Sequence, residues 1–358
     1  MKIRIGKKSK QIIGWKHSEC TATYYEADKA LIQQAIDGAL AAKASWELMP
    51  FNDRAAIFLK AADLLSTKYR FELMAATMVG QGKNAWQAEI DAAAELIDFW
   101  RFNCQYAQWL YEQQPEKNAP GVWNRMEYRP LEGFVTAITP FNFTAIGGNL
   151  VGAPALMGNV VLWKPSAGAI RSNYLVYKIL EEAGLPKGVI QFIPSCPNDF
   201  VDVTFGHKEF AGLHFTGSTQ VFKDLWKKIA ANLDIYKSYP RIVGETGGKN
   251  MHFVHSSADV DNVVNQTIRA AFEYQGQKCS ACSRIYVPDN LWSEIKEKLL
   301  MEHKKLKVGP PTDFKNHVGA VIHKGSFEKI KSYIDFCKSA DDAKVIAGGK
   351  CFQFSHFR

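Results

Sequence analysis

Between Phe134 and Thr216 the chain alternates short apolar runs with helical patterns, and this alternation restricts the available folds more than any other feature. Phe134–Thr139, Asn159–Trp163, Val189–Ile193 and Gly212–Thr216 have strand length and are apolar almost throughout. Among the helical patterns between them, Ile170–Ala183 is the clearest. It carries Leu175, Val176, Ile179 and Leu180 at helical spacing and meets a stop at Gly184 and Pro186. Strands alternating with helices predict an α/β fold, a parallel sheet with crossover helices. Ligands of such sheets bind outside the carboxyl ends of the strands. Here those ends carry Pro140-Phe141-Asn142, Lys164-Pro165-Ser166 and Gly217-Ser218.

The flanking regions read differently. The first third is helical in pattern, with segments expected over Ala27–Trp46, Asp53–Ser66 and Ala88–Leu110, the last continuous and carrying Ile90, Leu96, Ile97 and Phe99. A polar, proline-containing stretch within 113–130 reads as a connection. After it and the sheet comes a second α/β unit, with strands near Met251–Val254 and Arg284–Pro288 and helices over Val260–Tyr274 and Trp292–His303. The expected organisation is an atypical segment 1–26, a sheet domain with its N-terminal helices over 27–244, and a partial second domain over 245–358.

With 358 residues, 47% of them hydrophobic and 22% charged, the chain can fill the cores of two or three domains. Its longest apolar run, Ile146–Trp163, is interrupted by Gly147, Gly148, Gly152, Pro154 and Gly158, so no membrane span is expected. The net charge of +8 gathers in local clusters near the start and at His303–Lys307, without a nucleic-acid-binding signature. A nucleic-acid partner is therefore not expected. Cys20, Cys104, Cys196, Cys279, Cys282, Cys337 and Cys351 are odd in number and scattered, which argues for a reducing compartment.

Two stretches of small residues hold groups suited to covalent catalysis. Gly244-Glu245-Thr246-Gly247-Gly248-Lys249 presents a carboxylate in what reads as a tight loop, and Gly276-Gln277-Lys278-Cys279-Ser280-Ala281-Cys282 presents a thiol. A thiolate can attack a carbonyl carbon, and a carboxylate can activate the water that releases the resulting thioester. Other readings stand beside this one. Cys279 and Cys282 match C-x-x-C, the pattern of a redox pair or half a zinc site, although no second C-x-x-C supplies the remaining ligands, and no metal site is expected. A buried cysteine is also an ordinary small hydrophobe. Asn142 is either a turn residue after Pro140 or an amide donor to an oxyanion. Lys164 is either a solvated strand end or a contact to ribose or phosphate oxygens. Phe215-Thr216-Gly217-Ser218-Thr219 reads as strand, turn and helix start, a geometry suited to a phosphate, but G-x-G-x-x-G is absent from it.

Taken in order, Pro140-Phe141-Asn142-Phe143, Trp163-Lys164-Pro165-Ser166, Phe215-Thr216-Gly217-Ser218, Glu245-Thr246-Gly247-Gly248-Lys249 and Gly276-Gln277-Lys278-Cys279 resemble the motif series of the aldehyde dehydrogenase superfamily. Finer segments, among them Met78–Lys83, Ala88–Leu96, Phe143–Asn149 and Glu273–Arg284, are similar to the Δ1-pyrroline-5-carboxylate (glutamate-γ-semialdehyde) dehydrogenase branch. The resemblance runs from about Lys16 to Cys351. It implies a Rossmann-type NAD-binding domain with a partial catalytic domain, and NAD-dependent oxidation of glutamate γ-semialdehyde to glutamate in proline breakdown. Cys279 would be the nucleophile, Glu245 the base that activates water, and Asn142 an oxyanion donor. Thr139, Lys164, Gly217, Ser218, Thr219, Gln220 and Val221 would face NAD. Ser280 would contact the substrate carboxylate, and Glu95 would lie near the substrate end. The resemblance also implies a mitochondrial matrix location and a homo-oligomer.

The chain departs from that pattern in places. Phe222 stands where many members carry a second glycine. No Glu-Ile-Phe-Gly-Pro motif occurs, and the first 15 residues and the final Phe352–Arg358 do not follow the family pattern. These departures lead to the expectation of a fragment without the family's pairing strand. The alternative to an enzyme is then a non-catalytic chain that binds NAD weakly or binds a full-length partner.

Overall fold

The computed structural model describes residues 6–352. They divide into two units, the first holding residues 6–11, 22–74 and 89–246 and the second 12–21, 75–88 and 247–352.

The chain opens with a hairpin, β1 (Lys7–Ile13) and β2 (Lys16–Glu26), turning at Gly14 and Trp15. The sequence reading missed it, because the strands are mostly exposed and show no apolar alternation. Gln11 and Ile13 are the buried residues of β1; the Gln11 side-chain amide donates to the Gly168 carbonyl at 2.7 Å and accepts from the Arg171 N–H at 2.9 Å. Helix α1 (Lys29–Leu48) starts where the Asp28 carboxylate accepts the Leu31 N–H at 2.9 Å. It is followed by α2 (Phe51–Ser66), α3 (Arg70–Gln81), a single turn α4 (Ala85–Ala88) and α5 (Glu95–Glu112).

A continuous helix was expected from Ala88; instead residues Glu89–Ala94 form a π-turn. The wider turn shifts the phase of the helix face, so Ile90 is left 36% exposed while Leu96 and Ile97 are buried.

The sheet follows the predicted strand–helix alternation: β3 (Phe134–Ile138), α6 (Thr144–Leu156), β4 (Val160–Lys164), α7 (Ile170–Ala183), β5 (Ile190–Phe192), α8 (Pro197–Phe205), β6 (Phe210–Gly217), α9 (Thr219–Ala230) and β7 (Arg241–Thr246). All pairings are parallel, in the order β5-β4-β3-β6-β7. Strand order therefore reverses at β3, which lies between β4 and β6. The apolar run that superficially suggests a membrane segment is α6 and β4, both buried almost throughout. Among the described residues, no helix is long and apolar enough to cross a membrane. The glycines of α6 permit close packing: a Cβ at Gly148 would meet the Leu96 methyls at 2.7 Å and 2.9 Å, and one at Gly152 would meet the Trp100 indole nitrogen at 2.9 Å.

In the second unit, β8 (Met251–Phe253) pairs in parallel with β9 (Arg284–Tyr286). Helix α10 (Val260–Phe272), capped by Asp259, packs with α11 (Asp289–Lys305) around Val254, Val263, Val264 and Ile295. A further helix, α12 (Lys324–Ser339), starts at His323, whose Nδ1 accepts the Ser326 N–H. Helix α10 stops short of the expected Tyr274, because Tyr274 and Gln275 adopt left-handed backbone angles with φ of 51° and 57°.

Gly133 provides a test of the sheet packing. Its φ is +115°, and a Cβ there would lie 1.9 Å from the Glu209 carbonyl oxygen, which already accepts the Phe134 N–H at 2.9 Å. Gly133→Ala should destabilise the fold by about 3 kcal/mol, visible as a lower urea midpoint.

Candidate active site

In the first unit, the predicted ligand-facing residues lie at the carboxyl ends of adjacent strands. Thr139 follows β3; its N–H donates to the Lys164 carbonyl at 3.2 Å, and its hydroxyl accepts from the Trp163 indole at 2.9 Å. Both Thr139 and Trp163 are buried. Asn142 lies in the following loop, half-buried, immediately before the α6 N-terminus. Lys164 ends β4, paired with Ile138, and its ammonium is 3.4 Å from the Pro165 carbonyl.

Gly217 ends β6 and Ser218 caps α9, its hydroxyl accepting the Val221 N–H at 3.4 Å. Ser218, Thr219, Gln220 and Val221 are exposed around this helix start. The buried Thr216 hydroxyl beside them has no hydrogen-bond partner among the described residues. An open helix N-terminus, an unpaired hydroxyl and a strand-end amine at one sheet edge suit the phosphates and hydroxyls of a dinucleotide.

Glu245 was expected in a loop, but it lies on β7, opposite Thr216, with its side chain exposed. The glycine before it has a packing reason. A Cβ at Gly244 would meet the Phe222 ring at 2.1 Å, and that ring stacks on Phe215 with centroids 5.6 Å apart.

Glu95 opens α5 beyond the π-turn and lines a cleft of about 490 Å³ with Asp91, Asp98, Asn103, Asn149 and several aromatic rings.

In the second unit, Cys279 is half-buried and Ser280 exposed, in a turn closed by the Ala281 N–H on the Lys278 carbonyl at 3.3 Å. The sequence reading missed Asn250. Its amide donates to the Cys279 carbonyl at 2.8 Å, and its own carbonyl accepts the Ser283 N–H at 2.9 Å. The only sequence signal for it was its place directly after the Gly247-Gly248-Lys249 run. The Cys282 thiol is engaged elsewhere, with its sulfur 3.2 Å from the Arg284 carbonyl.

Lys164 is 8% exposed, and burial lowers its pKa below the usual lysine value, against smaller opposing effects of Cys196 and Glu26. The unfolded chain therefore holds this proton to higher pH than the folded one. The contribution of Lys164 to stability rises with pH through the window below the ordinary lysine value of about 10.4. Lys164→Met should flatten that rise and raise the urea midpoint at neutral pH, as measured by unfolding at neutral pH and near pH 10.

The aldehyde dehydrogenase family model matches residues 6–356. The match takes in residues 6–15 and 352–356, which the sequence pattern had left outside the family. The Delta-1-pyrroline-5-carboxylate dehydrogenase of Dictyostelium discoideum is 58% identical over 351 residues, 98% of this chain and 63% of that protein. The enzyme of the same name from Emericella nidulans is 60% identical over 330 residues, 92% of this chain and 58% of its own length. Among solved structures, the Delta-pyrroline-5-carboxylate dehydrogenase from Mycobacterium tuberculosis bound with NAD superposes with a TM-score of 0.94 at 46% identity, over 97% of this chain and 65% of that one. The chain thus spans about three-fifths of the length of these curated relatives. With the parallel sheet, the strand-end residues and the cysteine turn in the same chain, the match is decisive: this chain belongs to the aldehyde dehydrogenase family.

Proposed function

We propose that the chain carries the chemistry of an NAD-dependent dehydrogenase that oxidises L-glutamate γ-semialdehyde to L-glutamate. The observation that carries this reading is 58% identity, over 98% of the chain, to a relative named for the parent activity. The Dictyostelium and mouse relatives are named mitochondrial, which supports that location here. The matrix and a homo-oligomer are inferred from the family resemblance alone. Cofactor binding is assigned to 27–244 and the thiol to 245–358.

In this reading the Cys279 thiolate attacks the aldehyde carbon and forms a thiohemiacetal. The developing oxyanion accepts hydrogen bonds from the Asn142 amide and the Cys279 main-chain N–H. Thr139, Lys164 and Gly217 to Val221 would hold NAD, with Lys164 toward the adenosine ribose and the start of α9 toward the pyrophosphate. NAD, when bound, would supply the hydride acceptor for oxidation at the thiohemiacetal carbon, which leaves a thioester on Cys279. Glu245 then takes a proton from water, and the resulting hydroxide attacks the thioester carbon and releases the Cys279 thiolate. Exposure on a strand end gives the Glu245 carboxylate access to water. Ser280 contacts the substrate carboxylate, and Glu95 lies toward the substrate end.

NADH formation from glutamate γ-semialdehyde by the 358-residue chain tests this directly. Activity should vanish in Cys279→Ala and largely survive in Cys282→Ala; equal losses in the two would remove the single-nucleophile assignment. Glu245→Gln should keep a rapid first burst of NADH while steady turnover falls by about 100-fold or more. Loss of the burst itself would reassign Glu245.

A further inference from the structure

Lys83 is fully buried, yet it belongs to no step of the proposed chemistry. Its ammonium lies 4.4 Å from the centroid of the Tyr274 ring, itself fully buried. The surrounding backbone is fixed on both sides of the lysine. Gly82 before it takes a φ of +79°, and Asn84 after it forms a reciprocal cap with Gln87, accepting the Gln87 N–H at 2.9 Å and donating its own N–H to the Gln87 side chain at 3.3 Å. The Tyr274 hydroxyl donates to the Gln81 carbonyl at 2.9 Å, so ring and hydroxyl both bind the same short segment.

Tyr274 begins an unusual run of backbone. Tyr274, Gln275 and Gly276 have φ of 51°, 57° and 67°, three consecutive residues in the left-handed region. Only the third is a glycine, and a bulky aromatic residue is disfavoured there. This turn ends α10 and leads directly to Cys279. Further bonds hold it: the Gln275 amide donates to the Ala320 carbonyl at 2.7 Å, and the Gln277 side chain accepts the Ile322 N–H at 3.0 Å. Glu273 and Lys278 pair at 2.7 Å across it, both largely shielded from water. Strained backbone persists only where the surroundings overdetermine it. A buried cation over an aromatic face is a strong constraint, because any shift of the ring leaves the ammonium less compensated.

We propose that Lys83, through the Tyr274 ring, is a positioning residue that holds the left-handed turn and thereby sets the place of the Cys279 thiol. The proposal rests on the reading of Cys279 as nucleophile, since only then does its position affect turnover. It makes Lys83 neither an acid nor a base.

The test measures alkylation of Cys279 by iodoacetamide across pH, read on the Cys279 peptide by mass spectrometry because other cysteines are exposed. It is run with NADH turnover on the 358-residue chain. Lys83→Met should lower the alkylation plateau without shifting its pH midpoint, and lower kcat by about 100-fold with little change in KM, the scale of a misplacement near 1 Å. Tyr274→Leu should do the same, whereas Tyr274→Phe, which keeps the ring, should retain most of both rates. If Lys83→Met does not fold, the contrast between Tyr274→Leu and Tyr274→Phe decides the matter. A shifted midpoint at an unchanged plateau, equal losses in the Leu and Phe variants, or unchanged reactivity in folded Lys83→Met would each overturn the proposal. Turnover surviving in Cys279→Ala would instead overturn the nucleophile reading, leaving the alkylation result as the separate measure of positioning.

Discussion

The parallel ladder through β3 is the constraint on which the ligand-facing edge of the first unit depends. Its hydrogen bonds align Ile138 with Lys164 on one side and with Phe215 on the other. Because all the strands run the same way, every carboxyl end emerges at one edge. Residues distant in sequence, Thr139, Lys164, Gly217 and Glu245, come to that edge together. Strand order reverses at β3, and it is at such a reversal, beyond the carboxyl ends of the strands, that open α/β sheets bind ligands. The core beneath is apolar and dense, with Trp163, Phe134, Phe210 and Phe205 fully or almost fully buried. A polar edge can be positioned accurately only on such a base.

Phe222 shows how one departure from a family pattern is accommodated. Its ring stacks on Phe215 and lies across β7 where a side chain at residue 244 would stand. Gly244 therefore clears a path for a large side chain on α9, and Glu245 keeps its place on the strand beside it. A glycine missing at one position is matched by a glycine present at another.

The second unit has a smaller apolar core, centred on Val254, Val263, Val264 and Ile295. Polar ties do more of the positioning there. The Asn250 amide fixes the Cys279 carbonyl, and Tyr274, Gln275 and Gln277 anchor the turn that leads to it. Hydrogen bonds to main-chain groups are directional, so they can define a loop that packing alone would leave loose.

Local signals in the sequence determined the alternation of strand and helix, the limits of α7 and the placing of strand-end residues beyond the sheet. These follow from periodicity and from stop residues, which act over a few positions. The glutamate and the cysteine were legible because small residues around chemically active groups are an unusual local combination. Other features needed tertiary structure. The β1–β2 hairpin carries no apolar alternation, and the partners of its buried Gln11, Gly168 and Arg171, lie far along the chain. Glu245 looked like a loop residue because glycines surround it, yet the Phe222 ring explains Gly244 within a strand. The π-turn before Glu95 and the left-handed turn at Tyr274 both contradict local preference. Such backbone forms only where distant groups, Lys83 and Gln81 in the second case, compensate for it, and the local sequence of each turn carries no record of those partners.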